Sequence, residues 1–269
     1  MERKHIVLDS YLITNAFDLS EADEYMKKLE EEVKFGKMMM KGGSVPREIC
    51  LQVDKSNGIP IYRHPVDHHP PLYDWTPTVD KIKYKLEIVT KMSINHMLIQ
   101  RYNHGKEFIS EHADKTLDIR KGTNIINMSF GATRTMILRP KKDTRTGKEG
   151  ETLRIDLPHN SIFILGWETN KQYLHGIRKD SREDKFKTKG ELAFDGKRIS
   201  LTCRDIATFY DPVTKKLTGQ GARKEKTDLT QEQEKELLYH AFHHENSITN
   251  FDWKETYGTG FNVLNFDLP

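Results

Sequence analysis

Hydrophobic positions along the chain fall into two periods, and the change between them divides the sequence. Near the N-terminus, Ala22, Tyr25, Met26, Leu29 and Val33 recur at helical spacing after Ser20, with Asp23 three residues on. This predicts a helix over about 21–34, opened by a capping box and ended by Gly36 and Gly42-Gly43. Val79, Ile82, Leu86 and Val89 follow Trp75-Thr76-Pro77 and predict a second helix with proline in its first turn. The Pro- and His-rich segment between them, 60–77, reads as irregular surface chain. From Met97 to Arg204 the period shortens to two. The segments 97–102, 125–130, 135–138, 153–157, 161–165 and 198–202 are short, β-branched and separated by Gly, Asn and Pro. Many short strands with turns between them predict a sandwich or barrel. A last helix opens at Thr230, with Gln233 completing its capping box and Leu237, Leu238, Ala241 and Phe242 as its apolar stripe. Phe251, Trp253, Tyr257, Phe261 and Phe266 then form an aromatic tail predicted to pack over the core. The expected class is α+β, with helices outside a β-sandwich.

Composition narrows this picture only at the margins. The 269 residues are enough for a sizeable core, and 12 Phe, 10 Tyr and 3 Trp argue against disorder. No run approaches the roughly 20 apolar residues of a membrane helix. The first nine residues are not patterned as a signal peptide. Cys50 and Cys203 exclude a disulfide scaffold and a thiolate zinc cluster. The expectation is an intracellular protein, cytoplasmic or nuclear, with no membrane partner. Forty-three basic against 40 acidic residues give a net charge of +3, which permits nucleic-acid binding without requiring it. The basic run 141–148, with Lys141, Lys142 and Arg145, reads as a solvated hairpin loop, or else as a grip for phosphates.

Candidate chemistry begins at His112-Ala113-Asp114. On a strand, residues two apart share a face, so imidazole and carboxylate converge. A distal third ligand would complete a two-His, one-carboxylate site for ferrous iron. By itself such a triplet also occurs by chance in surface turns. Arg198, Ser200, Thr202 and Arg204 alternate with Ile199, Leu201 and Cys203. An exposed edge strand carries the same alternation. Two guanidinium groups on one face also suit a dicarboxylate, which they bind in bidentate fashion. Gln100 and Tyr102 offer an amide and a phenol on one further face. His64, His68 and His69 match no metal-ligand spacing and read as a solvated loop.

Taken in order, these residues resemble the AlkB-like branch of the iron- and 2-oxoglutarate-dependent dioxygenases. The resemblance runs through Gln100-Arg101-Tyr102, His112-Ala113-Asp114, Ser129-Phe130-Gly131-Ala132-Thr133-Arg134, Leu157-Pro158-His159-Asn160-Ser161, His175 and Arg198 to Arg204. Upstream it extends through Glu21-Ala22-Asp23-Glu24, Ser44-Val45-Pro46-Arg47 and Asp74-Trp75-Thr76-Pro77, which look like the nucleotide-recognition region of the DNA-repair members. It implies a double-stranded β-helix (jelly-roll) core with flanking helices. The chain would divide into an N-terminal region 1–95, a core 96–210 and a C-terminal extension 211–269, in one compact domain. It further implies Fe(II) held by His112, Asp114 and His175, and 2-oxoglutarate held by Tyr102, Arg198 and Arg204, with Gln100 and Thr202 assisting. No catalytic residue beyond the metal ligands is implied. Dioxygen would be the oxidant, with decarboxylation to succinate coupled to attack on a substrate C–H bond.

The sequence departs from that pattern at the substrate. Gln100 stands for the branch's Asn, and Ser200 for another Asn. Thr116 occupies the position of the Glu that reads a flipped base. The aromatic clamp falls on Ile61 and Arg63 in one register, or on Tyr62 and His64 in the next. A flipped base needs stacking and edge hydrogen bonds to offset its unstacking. These changes point to a small organic molecule as substrate in preference to nucleic acid. The alternative is an oxidative demethylase of alkylated DNA or RNA. A ligand-binding pseudoenzyme fits less well, because the ligand set is complete. The charged insertion 177–197 is expected to be a lid or a surface loop.

Overall fold

The computed structural model describes residues 1–40, 43–65, 70–142 and 150–264. His68, His69, Arg145 and Phe266 lie outside them. The core is a pair of facing sheets. The larger has nine strands, with Glu2–Val7, Ser10–Thr14, Ser161–Leu165, Ile125–Gly131, Arg198–Arg204, His96–Tyr102, Gly43–Val53 and Gly36–Met40 as successive neighbours. Leu72–Tyr73 adds to it in parallel beside Gly43–Val53. The smaller sheet runs Leu153–Leu157, Arg134–Pro140, Tyr173–Ile177, Ile109–His112. This is the double-stranded β-helix core with flanking helices, an α+β architecture.

Strand alternation divides the interior into two layers. Ile199, Leu201 and Cys203 join Met97, Ile99, Ile126 and Met128 under the helices Leu19–Glu32 and Pro77–Thr90. The opposite face of the same strands meets the smaller sheet through Tyr102, Met136, Leu138, Ile155, Leu157 and Phe163. All seven residues of Arg198–Arg204 are buried, so this strand is central. Its polar face therefore points between the sheets, where charge must find a partner.

Several local expectations change. The first helix begins at Leu19 because Asp18, not Ser20, caps it, accepting from Ser20 N at 3.0 Å. The second runs from Pro77 behind Thr76, as the pattern predicts. Thr230 and Gln233 do form a capping box on Gln231–Ser247, but Leu237 is exposed and Leu238, Ala241 and Phe242 carry the contact. With Phe251, Tyr257, Phe261 and Leu117 they build a third apolar cluster. The segment 60–65 is not surface chain: Ile61, Tyr62 and Arg63 are buried. Lys141 is not a solvated loop residue either; it is buried, and its Nζ donates to Glu245 O at 2.7 Å. The insertion after Ile177 folds as short helical turns, Asp184–Phe186, Lys189–Leu192 and Ala193–Gly196, pinned by Arg182 to Asp180 and Glu191. No helix among the described residues is long and apolar enough to cross a membrane.

Candidate active site

Pairing of Ile109–His112 with Tyr173–Ile177 sets His175 directly opposite His112 in the ladder. Sequence separation of 63 residues is thereby reduced to one strand spacing. Asp114 lies just past the end of its strand. Even so, one ligand atom from each of His112, Asp114 and His175 falls within 4.8 Å of the others. His112 Nε2 lies 3.6 Å and His175 Nε2 3.9 Å from Asp114 Oδ1. Around this group the outer contacts fix each ligand. His112 Nδ1 is 2.8 Å from Ser110 O, so as a donor there it leaves Nε2 with a lone pair. Arg204 donates from Nε and Nη2 to Asp114 Oδ2 at 2.9 and 2.7 Å, leaving Oδ1 to face the imidazoles. The backbone N–H of Asp114 is also tied, donating to Asn170 Oδ1 at 2.9 Å.

Electrostatics keep Asp114 and His175 in ligating form. Burial pushes the Asp114 carboxyl up, but the paired Arg204 guanidinium outweighs it and holds it well below the usual carboxylate range. Burial and the neighbouring His112 push His175 down to about 3, so it is neutral. Two imidazoles and a carboxylate on one open face are a ligand set suited to ferrous iron.

Deeper between the sheets, register places Arg198 opposite Tyr102, Ser200 opposite Gln100 and Arg204 opposite His96. Arg198 is wholly buried, yet no carboxylate among the described residues pairs with it. Its Nη2 donates to Asn127 Oδ1 at 3.1 Å and Ser129 Oγ at 2.9 Å. Its Nε and Nη1, the Tyr102 hydroxyl, Ser200 Oγ and Arg204 Nη1 have no hydrogen-bond partner among the described residues. Burial drags Arg198 down to about 10, against the opposing pull of Tyr102. A buried cation with two idle donors beside an idle phenol is a receptor for an anion. Gln100 and Thr202 are both present but bonded to each other, at 3.4 Å, and to Arg47 and Asn127.

A cavity of about 490 Å³ reaches His112, Asp114 and Arg204. Tyr62 and His64 line it, with ring centroids 5.3 Å apart, and Arg204 lies 4.2 Å from the Tyr62 ring centre. Ile61, Arg63 and Thr116 do not. The β-like alternation of 61–64 turns Tyr62 and His64 inward and the other two away. Arg63 instead pairs with Asp118 at 2.7 Å, both wholly buried, and donates to Gly221 O and Phe261 O. The Thr116 hydroxyl donates to Glu245, and its N–H donates to Glu245 Oε1 at 3.0 Å. Other lining residues are Arg47, from the upstream stretch that carries the resemblance, Phe242, read from sequence only as part of an apolar stripe, and Lys115 and Asn246, which carried no sequence signal. Asn246 stands 133 residues from Ala113, whose N–H donates to it in the turn between His112 and Asp114, and no motif links them.

A model of the 2OG-Fe(II) oxygenase superfamily matches residues 9–204. The chain belongs to that superfamily. The AlkB-like character of this oxygenase is carried by its relatives. It is 29% identical over 220 residues to the DNA oxidative demethylase ALKBH2 of Bos taurus, covering 76% of this chain and 70% of that one. To the Mus musculus ALKBH2 it is 28% identical over 178 residues, covering 61% and 71%. A solved structure of OsALKBH1 superposes with a TM-score of 0.51 at 12% identity, over 76% of the oxygenase and all of that chain. The two ALKBH2 relatives, DNA oxidative demethylases by name, overturn the expectation of a small organic molecule in preference to nucleic acid. That expectation leaned on Thr116, Ile61 and Arg63, and none of the three faces the cavity.

Proposed function

We propose that the protein is an oxidative demethylase of alkylated nucleic-acid bases, using Fe(II), 2-oxoglutarate and dioxygen. The observation that carries this reading is the aromatic-walled cavity over His112 and Asp114, in a chain whose matched relatives are DNA oxidative demethylases by name. His112, Asp114 and His175 would hold the iron. Arg198 would take the distal carboxylate of 2-oxoglutarate on its idle Nε and Nη1, with the Tyr102 hydroxyl beside it. The bound metal and co-substrate supply the oxidising power for a C–H bond.

What the chain's own residues contribute is position. Arg204 fixes Asp114 through Oδ2 and keeps it ionised. Ser110 O sets the His112 tautomer. Tyr62 and His64 give a base the aromatic contact that it loses on leaving its stack, worth about 1–3 kcal/mol per base. One oxygen atom of dioxygen would enter the N-methyl C–H bond and the other would end in succinate, with carbon dioxide lost from 2-oxoglutarate. The N-hydroxymethyl product then releases formaldehyde and the restored N–H.

The test is turnover on single- and double-stranded oligonucleotides carrying methylated bases, read by mass spectrometry of the bases and by succinate release. Equimolar loss of methyl and formation of succinate is expected. His175→Ala should abolish both, together with the visible band of the iron-bound keto acid. Succinate formation that no methylated oligonucleotide stimulates would refute the reading.

A further inference from the structure

The helix Gln231–Ser247 lies beyond the residues that the family model matches, yet it walls the cavity through Phe242, His243 and Asn246. Asn246 is built into the metal-ligand turn. Its Oδ1 accepts from Ala113 N at 2.9 Å and from Lys115 Nζ at 3.0 Å. Lys115 Nζ also donates to Ala113 O at 3.1 Å. An ammonium has three donors and no acceptor, so Lys115 keeps one N–H uncommitted. With Oδ1 taken twice, what Asn246 has left for a ligand is its amide NH₂, again a donor. The carboxylates nearby are spoken for. Glu245 accepts from Thr116 and from the Tyr257 hydroxyl, away from the cavity, and Glu111 is paired with Arg139. This wall therefore offers hydrogen-bond donors where a glutamate would offer acceptors.

We propose that Lys115 and Asn246 read the edge of the substrate base and select alkylated bases with a carbonyl oxygen beside the methylated nitrogen over those with an exocyclic amine. The preference rests on the demethylase reading above. 3-Methyluracil and 3-methylcytosine carry the methyl group on the same nitrogen and differ at C4, a carbonyl in one and an amine in the other. The carbonyl accepts from the wall. The amine sets donor against donor, leaving both unpaired, and the cationic ring of methylated cytosine meets the like charge of Lys115. A site built for one hydrogen-bonding edge rejects the mismatched one more strongly than a change in size would.

The experiment uses single-stranded oligonucleotides of one sequence bearing either base. Demethylation is followed by mass spectrometry, and affinity by fluorescence anisotropy without oxygen. The wild-type protein should favour 3-methyluracil by about tenfold or more in kcat/KM, with the same order in affinity. Asn246→Asp keeps an oxygen for Ala113 N while replacing the amide donor by an acceptor, and should narrow or invert the ratio. Lys115→Met should narrow it. Retention of the iron–keto acid band in each variant shows that the triad is intact. Equal or better turnover of 3-methylcytosine by the wild type overturns the inference and leaves the demethylase reading standing. A ratio that neither substitution moves removes Lys115 and Asn246 from base reading. Removal of methyl from neither oligonucleotide, or from any other methylated base, overturns the underlying reading and the inference with it.

Discussion

Replacing Arg198 by methionine should strengthen the protein alone and weaken it toward its co-substrate, and the two signs together test the assignment. Arg198 is wholly buried with no carboxylate partner among the described residues. Its fall from 12.5 to about 10 means that burial destabilises the charged form by roughly 3 kcal/mol. Methionine removes that penalty at similar volume. Against this stand the lost bonds to Asn127 and Ser129, worth about 1–2 kcal/mol together. The net is a gain of about 1–2 kcal/mol, or a rise in Tm of roughly 2–6 °C without co-substrate. With 2-oxoglutarate the balance reverses. Its distal carboxylate would enter a buried site that no longer holds a cation, at a cost of about 3–5 kcal/mol. The concentration required should rise at least 10²-fold or so, and the thermal shift that 2-oxoglutarate confers should vanish. Thermal unfolding with and without 2-oxoglutarate reads both effects on one protein. A variant several kcal/mol less stable, with an unchanged 2-oxoglutarate requirement, would make Arg198 a structural residue and refute the argument.

Arg63→Met should cost about 3–5 kcal/mol, because it leaves Asp118 charged and buried while freeing the carbonyls of Gly221 and Phe261. Hydrogen exchange should show the loss concentrated in 221–263; uniform destabilisation would count against Arg63 as the tie of the extension to the core. Burial brings Lys141 from 10.5 down to about 7, so between those values the unfolded chain holds a proton that the folded chain lacks. Stability from this residue therefore rises with pH over that window, by up to about 1.4 kcal/mol per pH unit, and below pH 7 the full penalty remains. Lys141→Met should flatten the slope of stability against pH between 7 and 10 relative to wild type, as measured by urea unfolding. An unchanged slope would show that Lys141 does not titrate there.

The sequence by itself determined what depends on local pattern. Helical period and capping chemistry located Pro77–Thr90 and Gln231–Ser247, and alternation separated Ile199, Leu201 and Cys203 from Arg198, Ser200, Thr202 and Arg204. The resemblance to the AlkB-like branch, carried by motifs in order, named His112, Asp114 and His175 as a set, and the structure brings the three together. Tertiary structure alone decided which way that pattern faced and what stood across from it. A period of two says that Tyr62 and His64 share a face opposite Ile61 and Arg63, but not which face is the cavity. That is settled by the buried Arg63–Asp118 pair, whose members are 55 residues apart. The same holds for Asn246, whose contact with Ala113 spans 133 residues and follows from how the third apolar cluster seats the C-terminal helix. Local propensity acts over a few residues, whereas such long-range contacts are fixed only when burying apolar surface offsets the entropy of closing the chain between them.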